Sequence, residues 1–128
     1  MPPSPLVAQR KEFDCGIASL AHYFHLPYED AYALAIAHIG VKVRRGMCLY
    51  ELRTLAKRIG RPLRTVHHRK VDLEEDSGIL GVNWAKGGGH WVLLRKGTIV
   101  DPAQAQTWDA DEYLALHEGR VGSLLTEA

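Results

Sequence analysis

The strongest structural signal in the chain is the run Asp14-Cys15-Gly16-Ile17-Ala18-Ser19-Leu20-Ala21-His22-Tyr23-Phe24. Apolar residues at positions 17, 20, 21 and 24 of this run recur with the spacing of one helix face. Asp14 is a favourable N-cap residue, so we expect a helix that begins at Cys15 and ends before Pro27. Since the N-terminus of a helix favours negative charge, this position would favour the thiolate form of Cys15. Asp14 would oppose that charge unless its carboxylate is used to cap the helix.

The remaining pattern predicts an α+β order, with helices first and antiparallel strands afterwards. Two further helices are expected over 29–38, before Gly40, and over 47–59, before Gly60. Short strands are then expected over 63–66, 79–84, 90–94 and 98–100, followed by a helix over 109–116 and a strand over 121–125. Glycine-containing turns over 86–89 and 96–97 would join consecutive strands as hairpins. We expect one domain over 1–128, with residues 1–5 as a loose end.

Composition excludes several classes of protein. The chain has 128 residues, 46% of them hydrophobic and 24% charged, which is typical of a soluble domain with a normal core. Its 16 Lys and Arg nearly balance its 15 Asp and Glu, so there is no electrostatic case for nucleic acid or a membrane surface as the partner. No apolar run is long enough to span a membrane or to act as a secretion signal. We therefore expect a cytoplasmic protein with Cys15 and Cys48 as free thiols, a bridge between them being the lesser alternative.

Three polar residues could assist a nucleophilic Cys15. His90 follows three glycines at the start of a strand and could take the thiol proton, although a surface histidine beside a hairpin would look the same. Asp101 ends the next strand and could orient the imidazole, although Asp-Pro also commonly begins a turn. Gln9 precedes the helix of Cys15 and could stabilise an oxyanion, although it could equally be a surface residue. Each prediction is weak alone, and their combination indicates nucleophilic catalysis by a cysteine.

The segments around these residues occur in the order found in a known family. They are Gln9 with Asp14–Leu20, Gly46–Leu52, Gly89–Leu94, Ile99–Ala103 and Glu112–Leu114. Together they resemble the bacteriocin-processing double-glycine leader peptidases. Those are papain-like cysteine peptidase domains, usually fused to the front of peptide-exporting ABC transporters. The likeness covers nearly the whole chain from Val7.

The resemblance implies a papain-like fold, in which the helix of the catalytic cysteine packs on an antiparallel sheet. It places the nucleophile at Cys15, the general base at His90, the orienting carboxylate at Asp101 and the oxyanion donor at Gln9. It also implies cleavage after a Gly-Gly pair in a leader peptide, without a cofactor or metal. No membrane span or phosphate-binding loop accompanies the domain, so we expect an excised domain or a free-standing member. Its expected partner is a peptide or protein substrate, and a separate ABC exporter is a further candidate partner.

Two alternatives to a peptidase remain open at this stage. A deamidase, acyltransferase or toxin could use the same three residues, and a module that binds a leader without cutting it could retain them.

Cys48, at the start of the third helix, is interpreted as structural. The histidine pairs are interpreted as surface residues and not as a metal site. His67 and His68 would point to opposite faces of a strand, and His22 with His25 lacks a cysteine or carboxylate partner at a suggestive spacing. Trp84 is expected in the core, with a cleft wall as its alternative role.

Overall fold

The structure of the protein is a computed structural model that describes residues 14–40, 46–103 and 106–127. Its helices are α1 (Cys15–Phe24), α2 (Tyr28–His38), α3 (Leu49–Ile59) and α4 (Ala110–Leu116). Its strands are β1 (Leu63–Val66), β2 (Ser77–Trp84), β3 (Gly89–Arg95), β4 (Thr98–Asp101), β5 (Gln106–Asp109) and β6 (Gly119–Glu127). A short 3₁₀ helix, His68–Lys70, lies between β1 and β2.

The strands form one antiparallel sheet in the order β1-β6-β2-β3-β4-β5. One face is covered by α1, α2 and α3, whose apolar residues pack with Ile79 and Leu125. The other face carries α4 and a second cluster that includes Val82, Val92 and Tyr113. Burying both faces of the central strands fixes the position of their ends, where the polar residues singled out above lie.

The predicted helices and strands are confirmed, with boundaries that differ by no more than two residues. Helix α3 begins at Leu49 because Cys48 has an extended backbone and serves as the N-cap. The N–H of Cys48 donates a hydrogen bond of 2.9 Å to the Glu51 carboxylate. Strand β5 was not predicted, because this edge strand has exposed or half-buried residues and therefore no hydrophobic alternation.

The interpretation of the histidine pairs needs two corrections. His67 caps a 3₁₀ helix that begins at His68, and their rings lie 4.1 Å apart, so they do not point to opposite faces of a strand. His22 is not a surface residue, since only 2% of it is exposed. Helix α1 is buried on nearly every side, so the apolar positions 17, 20, 21 and 24 identify only part of its buried surface.

Helix α1 is seated against the start of β3, which brings its N-terminus to the end of the sheet. Ser19 Oγ donates a hydrogen bond to the Trp91 carbonyl at 3.3 Å. Gly16 lies so close to the Trp91 indole that an added Cβ would be 3.2 Å from its Cδ1 atom. The absence of a side chain at Gly16 therefore allows the first turn of α1 to approach the strand that carries His90.

Candidate active site

Cys15 occupies the first position of α1, as predicted, and is partly buried. Its Sγ accepts a hydrogen bond from the backbone N–H of Trp91 at 3.4 Å. A backbone donor and a helix N-terminus both favour a negatively charged sulfur. The sulfur is thus held where α1 meets the start of β3.

The capping role expected of Asp14 is wrong. Asp14 is at the N-cap position and its carbonyl accepts the N–H of Ala18, but its side chain makes no capping hydrogen bond. The carboxylate is buried and instead accepts a hydrogen bond from the hydroxyl of Tyr28 on α2. Propensity correctly predicted where the helix begins but could not anticipate a tyrosine from another helix as the partner.

His90 and Asp101 form a close, mostly buried pair. His90 Nε2 lies 2.8 Å from Asp101 Oδ1, with 13% and 7% of the respective side chains exposed. Because a carboxylate only accepts, Nε2 is the donor, which leaves Nδ1 to interact with Cys15. Burial would lower the pKa of His90, but the hydrogen bonds to Asp101 and Cys15 and their charges outweigh it and raise this pKa to about 9.

Asp101 is held by three donors. Its Oδ1 also accepts the N–H of Ala103 at 2.9 Å, and its Oδ2 accepts the hydroxyl of Tyr113 at 2.8 Å. Burial would raise the pKa of Asp101, but the hydrogen bonds from His90, Tyr113 and Ala103 lower it below its usual value. Burial and the bond to Asp101 raise the pKa of Tyr113. The sequence analysis assigned no role to Tyr113, which lies 12 residues after Asp101 in the chain. The one feature that pointed to it was its position in the family-like segment Glu112–Leu114.

Trp84 covers His90 at the rim of a cleft. The two rings are stacked, with centroids 5.7 Å apart and planes inclined by 26°. The cleft has a volume of about 800 Å³ and is lined by Cys15, His90, Trp84 and Cys48, among others. The alternative role foreseen for Trp84, a wall of the cleft, agrees with this position. Cys15 and Cys48 are both free thiols, so no bridge joins them.

Two facing glycines, Gly81 of β2 and Gly122 of β6, are among the residues that line this cleft. The pairing of β2 with β6 shifts between Leu80↔Leu124 and Val82↔Val121, so β6 carries one extra residue opposite Gly81. A Cβ added to Gly122 in this bulge would lie 2.9 Å from the Gly81 carbonyl oxygen. The bulge therefore favours glycine at position 122, where the Gly81 carbonyl occupies the space that a side chain would need.

Comparison with known proteins bears on the architecture. No family model and no curated protein matches the sequence. Among solved structures, the chain is similar to a double glycine motif protease from an AMS/PCAT transporter, crystallised in complex with the leader peptide. The two have a TM-score of 0.66 and 21% sequence identity, and the match covers 96% of this chain and 89% of the other. The fold is papain-like. This confirms the predicted fold class. At 21% identity, the similarity to that protease concerns the fold alone.

Within this papain-like fold, three of the four predicted site residues lie together. Cys15 and His90 line the cleft and Asp101 is buried behind His90, whereas Gln9 lies outside the described residues. Across the three described ranges, no group of three or more His, Cys, Asp or Glu side chains could hold a metal ion. Over the same ranges, no helix is long and apolar enough to cross a membrane.

Proposed function

We propose that this protein is a cysteine peptidase in which Cys15 is the nucleophile, His90 the proton carrier and Asp101 the group that orients His90. The supporting observation is the continuous line of contacts from Cys15 through His90 to Asp101 at the edge of one cleft. A thiol, a base within reach of it and an acceptor behind the base form the arrangement that activates a cysteine for attack on a carbonyl.

The proposed reaction starts from a Cys15 thiolate and a His90 imidazolium. The Cys15 thiolate attacks the carbonyl carbon of the scissile bond while the His90 imidazolium donates its Nδ1 proton to the leaving nitrogen, so that the C–N bond breaks and a thioester forms. His90 then removes a proton from water, whose oxygen attacks the thioester and releases the acid and the thiolate. Asp101 holds the Nε2–H throughout. In the tetrahedral intermediate, the oxyanion would be bound by the Cys15 N–H, which has no intrahelical acceptor, together with Gln9.

The cleft favours a substrate with small residues at the scissile bond. It is lined by two glycines, Gly81 and Gly122, and by the indoles of Trp84 and Trp91, and we infer that an extended backbone with small residues fits it better than bulky groups. The structural neighbour is a double glycine motif protease bound to a leader peptide. We therefore infer a Gly-Gly leader peptide as the substrate, processed in a reducing cytoplasm in which Cys15 stays free, with a separate ABC exporter as the partner that would receive the product.

The first test is the rate of Cys15 alkylation by iodoacetamide from pH 4 to 10, followed by mass spectrometry. Cys48 in the same molecule is the internal reference, and His90→Ala is the matched variant. We expect Cys15 to react far faster than Cys48 at pH 6 and to lose this advantage in His90→Ala, because a thiolate–imidazolium pair requires the imidazole. Ordinary thiol behaviour of Cys15 would rule out the peptidase.

The second test presents synthetic peptides that contain one Gly-Gly pair. A new carboxyl end after the second glycine, absent with Cys15→Ala, is the expected product. Release of ammonia or acyl transfer without a new peptide end would instead assign the site to a deamidase or acyltransferase. Binding without any product would assign it to a leader-binding module.

A further inference from the structure

We propose that Tyr113 is a positioning residue for the reaction, acting through Asp101 and not on the substrate. The inference rests on the proposed function, because it concerns the same three residues. It extends the line Cys15–His90–Asp101 by one buried hydroxyl, which holds the second oxygen of the carboxylate.

The fold fixes Tyr113 beneath Asp101 by anchoring the start of α4. The Asp109 carboxylate caps this helix by accepting the Glu112 N–H at 3.1 Å, and the Ala110 N–H donates to the Gly97 carbonyl at 2.8 Å. The first turn of α4 is thereby tied to the β4–β5 part of the sheet. Tyr113 itself has no exposed surface.

The carboxylate of Asp101 depends on Tyr113 for its orientation. Its Oδ1 is shared by His90 Nε2 and the Ala103 N–H, whereas Tyr113 is the hydrogen-bond donor to Oδ2 among the described residues. Without this hydroxyl, a buried oxygen would lose its partner and the carboxylate could turn away from His90. The hydroxyl can serve as a constant donor because the pKa of Tyr113 is raised, first by burial and then by the bond to Asp101.

The ring of Tyr113 is held independently of its hydroxyl. The His117 ring lies 4.4 Å from it, and the indoles of Trp108 and Trp84 lie 6.0 and 6.4 Å away. Phenylalanine would keep these ring contacts, so Tyr113→Phe removes the hydrogen bond alone. The ionisable groups around this bond are Asp101 on β4, His90 on β3, Cys15 on α1 and His117 directly after α4.

The experiment compares Tyr113→Phe with the wild type and with Tyr23→Phe. Tyr23 is the matched control, because its hydroxyl also takes part in a hydrogen bond, here as the acceptor of the Glu127 N–H, but on the far side of the sheet from α4. For Tyr113→Phe we expect kcat on a Gly-Gly peptide to fall about tenfold with KM unchanged, since one hydrogen bond to a charged group is lost. We also expect the ¹³C titration midpoint of the Asp101 carboxyl to move upward, and neither change in Tyr23→Phe.

A purely structural role for Tyr113 predicts a different result. Stability in urea would then fall while kcat and the Asp101 midpoint stayed at their wild-type values, and that outcome would overturn the proposal. The carboxyl titration requires no turnover, so it tests Tyr113 even if the protein cleaves no peptide, in which case the peptidase proposal fails separately.

A second variant covers the case in which Tyr113→Phe does not fold. Placing 3-fluorotyrosine at position 113 alone keeps the hydroxyl and the ring contacts but makes the hydroxyl a stronger donor. The Asp101 midpoint should then move downward from the wild-type value. An unchanged midpoint would contradict the proposal.

Discussion

The neighbours of His90 raise its pKa, although its burial alone would lower it. A buried imidazole ordinarily has a lowered pKa, because the protein interior disfavours the charged form. At His90, the Asp101 carboxylate on one side and the Cys15 sulfur on the other reverse this effect, and the pKa rises to about 9. An imidazolium that is stable at neutral pH is the form needed to protonate a leaving nitrogen.

Asp101→Asn should therefore separate the charge of Asp101 from its shape. The amide has the size of the carboxylate but no charge, so we expect the titration midpoint of His90 to fall well below 9 and peptidase activity to fall by roughly a hundredfold or more. The midpoint is measured by ¹⁵N NMR of the imidazole ring. Asp111→Asn, at an exposed position of α4, is the control. An unchanged His90 midpoint would mean that the carboxylate does not support its charge.

At the scale of elements, the sequence predicted what depends on local periodicity. Apolar spacing and C-terminal glycines placed the helices, and β-branched runs between turns placed most strands, because each signal is confined to its own segment. The bulge at Gly122 and the hydrogen bond from Tyr113 to Asp101 join segments distant in the chain, and no local pattern encodes them. The three catalytic candidates could be singled out because the resemblance supplied the long-range relation that spacing lacks.

The β6 bulge makes a prediction of its own. In Gly122→Ala, the new methyl group must displace the Gly81 carbonyl, and both residues line the cleft, so the cleft should change shape there. We expect KM for a Gly-Gly peptide to rise several-fold while alkylation of Cys15 by iodoacetamide, a much smaller reagent, stays at the wild-type rate. Gly60→Ala is the control. Gly60 has a left-handed backbone at the end of α3, away from the cleft, so alanine there should lower stability without changing the cleft. Equal KM values in Gly122→Ala and wild type would show that the substrate does not use the part of the cleft near Gly122.

Across the whole molecule, two buried histidines make stability depend on pH in opposite directions. Burial, together with the charges of Arg95 and His25, lowers the pKa of His22 to about 4, and its Nε2 has no hydrogen-bond partner among the described residues. Stability due to neutral His22 is present above pH 6.5 and is lost as pH falls towards 4. Stability due to charged His90 is fully present below pH 6.5 and is lost as pH rises through about 9.

The acid side of this balance can be isolated with His22→Gln, which keeps a polar side chain but cannot titrate. From the His22 pKa of about 4, the wild type should lose about 2 kcal/mol of unfolding free energy from this group between pH 7 and pH 5. The measurement is urea unfolding at both pH values, and the difference in pH response between the two proteins is the quantity that tests the idea. His38→Gln is the control, since His38 is exposed in the last turn of α2. If His22→Gln and wild type lose the same stability on acidification, His22 is accommodated in its charged form. The stability due to Asp101 would still be lost only at lower pH, because its pKa lies below the usual 3.8.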